Sequence, residues 1–170
     1  MSLRNCAIVM LFALSSSVLA AFGAPAQSGA TQPNKGEMTM SMHATGPFEV
    51  TLTPQDDKID PTLGRMTIDK HFHGDLEGYS KGQMLSAATG TKGSAGYVAI
   101  EVISGTLNGH TGTFTLQHTG SMNRGRPSLL ITVVPDSGTG QLVGLTGSMT
   151  INIVDGKHTY DFNYSLPEVH

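Results

Sequence analysis

Apolar positions along this chain recur at every second residue. In residues 65–73, Met66, Ile68 and Phe72 share one face, while Thr67, Asp69, His71 and His73 share the other. In residues 113–118, Phe114, Leu116 and His118 oppose Thr113, Thr115 and Gln117. In residues 158–164, His158, Tyr160, Phe162 and Tyr164 oppose Thr159, Asp161 and Asn163, and in residues 148–154 Met149 and Ile151 alternate with Thr150 and Asn152. A period of two is that of a strand with one buried face. Two further windows, 97–103 and 129–134, are apolar on both faces and predict fully buried or central strands. No stripe of period 3.6 follows the N-terminal segment.

Turn signals separate these windows: Gly74-Asp75, Asn108-Gly109, Pro135-Asp136-Ser137-Gly138 and Asp155-Gly156. The pattern predicts about eight strands, at 44–53, 65–73, 77–88, 96–104, 111–119, 128–134, 146–153 and 158–165. Short strands at this spacing predict an all-β fold, a sandwich or a small antiparallel barrel. Closure into a barrel removes the unpaired edges that a β protein must otherwise protect. One hairpin can be set in register. Asn108-Gly109 is the signature of a two-residue type I′ loop, which pairs Leu107 with His110, Ile103 with Phe114, Glu101 with Leu116 and Ala99 with His118. Glu101 and His118 then lie on one face as diagonal neighbours, about 7–8 Å apart at the backbone. A single bulge would break this register.

The N-terminal segment follows a different rule. Arg4 precedes an apolar run at residues 7–14, and small residues follow it, which is the layout of a secretory signal peptide. Cleavage after Ala20 or after Ala26 fits equally, so residues 1–26 read as the leader. The run is shorter than the roughly 20 residues that span a bilayer, and no transmembrane segment is expected. Residues 27–39, rich in Pro, Gln, Ser and Gly, read as a flexible lead-in, and residues 40–168 as one β-barrel domain. The protein is thus expected to be exported, periplasmic or secreted. Cys6 leaves with the leader, so the mature chain has no thiol for catalysis, metal ligation or a disulfide. Loss of the leader removes Arg4 and no acidic residue, taking the formal charge from −3 to −4. With no basic patch, no nucleic-acid partner is expected.

Four blocks carry a resemblance: FHGDLEGYSKGQML, KGSAGYVAIEVISGTLNGHTGTFTLQHTG, VVPDSGTGQLVGLTGSMTI and GKHTYDFNYSLP. In this order they resemble a bacterial family known as domain of unknown function 3224, over nearly the whole chain from His43 onward. That family is similar in fold to allene oxide cyclase, which implies an eight-stranded antiparallel barrel with a central cavity. The block SGTGQLVGLTG is similar to a Gly-rich strand-turn-strand of that cyclase. The cyclase closes a ring on a long-chain epoxide with a buried glutamate and an ordered water. No motif here matches those site residues one for one, and the resemblance brings no established activity.

Glu101 is the sharpest chemical candidate, since it interrupts an otherwise apolar strand. A carboxylate there is costly to bury unless paired. Desolvation would raise its pKa toward that of a general acid or base. The plainer reading is a structural ion pair with His118 or with Lys or Arg at a rim. His118 alone on an apolar face reads as a satisfied core residue, and closeness to Glu101 raises its interest. Tyr79, Tyr97, Tyr160 and Tyr164 carry both an apolar body and a hydroxyl that could line a cavity. His71 and His73 form an H-x-H on a polar face, with Asp69 beside them. Imidazoles so spaced can chelate a divalent metal, although solvated histidines are the plainer reading. His110 and His170 read as surface. Gln83 and Met84 lie on a strand of mixed character, so either could face a cavity. Ser137-Gly138-Thr139-Gly140 lacks the Lys and helix of a phosphate loop and reads as a tight strand connection.

Two functions are compatible with such a barrel. One is binding of a small apolar or amphipathic ligand, with Glu101, His118, Tyr97, Tyr160 and Tyr164 about its polar end. The other is a cofactor-independent isomerase or cyclase with Glu101 as acid or base. A Glu101 that is paired fully with Lys or Arg would be unfit for that second role. A barrel without pocket chemistry is the remaining alternative, and a homo-oligomer is compatible with all three. No cofactor is implied.

Overall fold

The computed structural model describes residues 40–56 and 59–167. The leader, the lead-in up to residue 39 and His170 lie outside the described residues. Within them the chain forms eight strands: β1 (Met40–Gln55), β2 (Leu63–Phe72), β3 (Leu76–Ala88), β4 (Ala95–Leu107), β5 (His110–Asn123), β6 (Arg126–Val133), β7 (Thr146–Val154) and β8 (Lys157–Leu166). Each pairs antiparallel with its neighbour in sequence, and β8 closes on β1 to make a barrel. All eight expected strands are present. Residues within each keep strict alternation, because every pairing register runs without a bulge.

The registers fix the shape. Starting at Pro54, the ladder passes through Met66, Met84, Ala99, His118, Ile131, Met149 and Phe162, and returns to β1 at Ala44. The return lies ten residues (54 − 44) from the start, so the strands are tilted and the sheet is staggered as it closes. An eight-stranded barrel has an interior just wide enough for its own side chains or one small ligand.

Inward positions fill one end completely. Phe48 and Phe72 meet at 5.3 Å between ring centroids, Phe72 and Tyr160 at 5.6 Å, Phe114 and Phe162 at 5.8 Å, and Phe162 and Tyr164 at 5.2 Å. The long β6–β7 connection folds back beneath this end, and its Leu142 and Leu145 are buried against the core. Its Gly-Thr-Gly stretch is a tight connection, with Ser137 and Thr139 hydrogen-bonded to β5. Tyr160 ties the same end together: its hydroxyl accepts the Leu76 N–H at 2.8 Å and points at the carbonyls of Thr45 and His73, at 3.0 and 3.1 Å.

The opposite end is less sealed. There Val50, Met66, Met84, Tyr97, Met122, Leu129 and Ile151 face inward yet stay half-buried, and Leu52 is 47% exposed. Among the described residues, the barrel is therefore plugged at one end and open at the other.

The windows 97–103 and 129–134 are not buried on both faces. Val98, Ile100 and Val102 are 53%, 48% and 48% exposed, and Leu130 is 59% exposed. A single-walled barrel has only one interior, and nothing in the described fold covers its outside. The outward apolar residues are the alternate positions of strands whose inward residues, Ala99, Glu101 and Ile103, are buried.

Candidate functional site

Four polar side chains meet inside the barrel, one from each of four consecutive strands. Lys70 on β2, Ser80 on β3, Glu101 on β4 and His118 on β5 all occupy inward positions, and all are buried. Lys70 and Ser80 are direct cross-strand partners, and Glu101 lies opposite Gly82. That glycine lets β4 approach closely at Glu101. A Cβ there would stand 3.0 Å from the Glu101 Cα and 2.6 Å from the Ile100 carbonyl oxygen. The expected hairpin register holds in every pair from Leu107–His110 to Ala99–His118. It is this register that sets Glu101 and His118 side by side.

Glu101 is fully enclosed and uses both oxygens. Lys70 Nζ donates to Oε2 at 2.7 Å, and the Ser80 hydroxyl donates to Oε1. His118 Nε2 lies 3.0 Å from Oε2, an off-line contact that still helps hold the carboxylate charged, and meets no other partner among the described residues. Burial works against the Glu101 charge. The Lys70 ammonium and His118 outweigh that penalty and hold the carboxyl at about 2. Lys70 gains further from the ring faces of Phe48 and Phe72, whose centroids lie 5.1 and 5.5 Å from Nζ. Glu101 is its one hydrogen-bond acceptor among the described residues, so donors of the ammonium remain.

Tyr97 lies four residues before Glu101 on the same inward face, toward the open end. Its cross-strand partner is Gly120, and a Cβ at Gly120 would lie 2.2 Å from the Tyr97 ring. The bare glycine is the seat of the ring. Burial, and secondarily the Glu101 charge, push the Tyr97 hydroxyl up to about 12, so it remains a neutral donor.

Of the residues expected at the site, Glu101, His118 and Tyr97 come together. Tyr160 and Tyr164 also face inward but lie at the plugged end. The Tyr160 hydroxyl is engaged by backbone, and that of Tyr164 accepts from Asn108 Nδ2 at 3.0 Å. Tyr79 does not line the interior: it stacks on His71 outside the barrel, 4.1 Å between centroids. His110 is half-buried rather than a surface residue. Met84 is the inward member of its pair and Gln83 the outward one.

Lys70 and Ser80 were not singled out by the sequence pattern. Lys70 has the same parity as Met66, Ile68 and Phe72, a signal that fits either an inward lysine or one that snorkels out at a rim. Ser80 carries no comparable signal, being one small polar residue in a mixed strand.

This arrangement is a poor general acid or base. A carboxyl near 2 has no proton to give at neutral pH, and its ion pair makes it a weak acceptor. Its evident work is to hold Lys70, Ser80 and His118 in fixed positions. Lys70, His118 and Tyr97 are then the groups with capacity left, beneath an apolar mouth.

A family model described as "Protein of unknown function (DUF3224)" matches residues 44–164. Among solved structures, a crystal structure of a protein with unknown function from the same family, from Shewanella oneidensis MR-1, shares 47% sequence identity with the chain. It superposes with a TM-score of 0.72, covering 76% of this chain and 100% of that one. No curated protein matches the chain.

Proposed function

The chain belongs to the DUF3224 family of proteins of unknown function, and from that premise we propose that it is an exported binding protein. Its ligand is a small amphipathic molecule held in the open end of the barrel. The apolar body lies against Met66, Met84, Leu129 and Ile151. An oxygen-bearing head, such as a carbonyl or carboxylate, meets donors from Lys70, His118 and Tyr97. Export rests on the N-terminal pattern of Arg4, a short apolar run and small residues.

One observation carries this reading: a buried ion pair whose surrounding donors are incompletely satisfied, directly below half-buried apolar side chains. Stability alone does not account for it. Replacing a buried ion pair by packed apolar residues is commonly neutral or stabilising. An eight-stranded barrel needs no charges to fill its interior, as the plugged end shows. Apolar walls with a few converging polar groups are the usual form of a small-molecule site.

The test is a fluorescence titration with an anionic aromatic amphiphile, anilinonaphthalene sulfonate, at neutral pH. One probe should bind per chain. His118→Ala and Tyr97→Phe should each weaken it about tenfold, the effect of losing one hydrogen bond worth about 1.4 kcal/mol. Ile100→Ser, on the outer wall, should leave it unchanged. Binding that survives the two interior variants and falls with Ile100→Ser would place the probe on the outside and contradict the proposal.

A further inference from the structure

On the outer wall, near the plugged end, a second polar group stands apart from the interior cluster. Glu49 on β1 and His71 on β2 are direct cross-strand partners, and His73 follows two residues on, with the same outward parity. One ligand atom from each of Glu49, His71 and His73 lies within 4.8 Å of the others. His73 Nε2 is 3.0 Å from Glu49 Oε2, and the two imidazole centroids are 4.0 Å apart. We propose that Glu49, His71 and His73 form a binding site for a divalent transition metal ion of the zinc type.

Two features favour a metal over a chance cluster. The first is the donor set: two imidazoles and a carboxylate suit borderline ions such as Zn2+. Ligand atoms on a tetrahedral zinc at about 2.0–2.1 Å stand roughly 3.3 Å apart, so the widest pair would close by up to about 1.5 Å while Glu49 and His73 already sit at that spacing.

The second is support from behind. Glu77 Oε1 lies 3.2 Å from His73 Nδ1, the carboxylate contact that orients a metal-bound imidazole through its other nitrogen. His71 is held by Tyr79, stacked on it at 4.1 Å with planes 13° apart. The same Glu77 oxygen lies 3.7 Å from His71 Nε2, so Glu77 stands beside both rings.

Three protein ligands leave a fourth position, which faces solvent and would take water or an external ligand.

The experiment is titration calorimetry of the chelator-treated protein with Zn2+ alone, together with visible absorption on Co2+ addition. One ion per chain and the intense visible bands of tetrahedral Co2+ are expected. His73→Ala and Glu49→Gln should abolish that stoichiometry, while Glu77→Gln should preserve it with about 10–100-fold weaker affinity. These side chains are outside the core, and unchanged circular dichroism would show that the variants fold. Absence of one-to-one binding would overturn the site. So would binding unaltered in both His73→Ala and Glu49→Gln, which would assign the ion to other histidines.

Discussion

At the scale of single residues, the partners of Glu101 depend on its charge. Removing its charge while keeping its shape leaves the Lys70 ammonium buried without a counter-ion. Glu101→Gln should therefore destabilise the barrel by about 3–5 kcal/mol, read from urea unfolding. The double variant Lys70→Met with Glu101→Leu should recover most of that loss, because no unpaired charge remains. An unrecovered double variant would mean that the pair itself, rather than the stranded charge, sustains the fold. The same carboxyl links stability to pH. Its pKa in the fold, about 2, lies below the ordinary value of 4.5. Its contribution is whole above about pH 4.5 and is lost as the pH falls toward 2. Circular dichroism across that window should show acid unfolding of the native protein. The Glu101→Gln variant, already weaker, should lack this part of the pH dependence. The buried carboxylate was legible in the sequence because it broke an apolar run. Its main partner was equally exposed to the period-two rule, but parity alone cannot tell an inward lysine from one that snorkels out at a rim.

At the scale of elements, hairpins decide which residues meet. Asn108 and Gly109 take φ of 46° and 88°, the paired positive angles of a type I′ turn. From those two residues the whole β4–β5 register followed, including the approach of His118 to Glu101. Arg124-Gly125, at 50° and 83°, makes the same kind of turn between β5 and β6 and carries no strong signal, since arginine is not a usual residue there. The seat of Tyr97 was also hidden: it requires knowing that Gly120 lies opposite and that the ring folds over it. Gly120→Ala should force the ring off that seat, costing about 1–3 kcal/mol as other overpacking changes do. It should also weaken amphiphile binding in parallel with Tyr97→Phe. Destabilisation with binding unaltered would show that the ring has no part in the mouth.

At the scale of the molecule, strand number and alternation indicated an all-β sandwich or small barrel, the family resemblance implied the eight-stranded barrel, and the structure is that closed barrel. What stayed hidden is what depends on closure. The pairing of β8 with β1 and the ten-residue stagger join residues more than a hundred apart, beyond the reach of any local pattern. The plug formed by Leu142 and Leu145 reads in the sequence as a Gly-rich connection and nothing more. The exposed outer face of β4 looked like a buried strand because apolar alternation on both faces does not say how many layers a fold has. Together, stagger and plug leave one end packed and one end open, and the polar cluster lies between them. The most direct test is native mass spectrometry of the protein isolated from its own host's exported fraction. The account predicts a discrete added mass that vanishes on denaturation and is missing from the His118→Ala variant. A bare chain mass in the native protein, or an added mass retained unchanged by that variant, would contradict it.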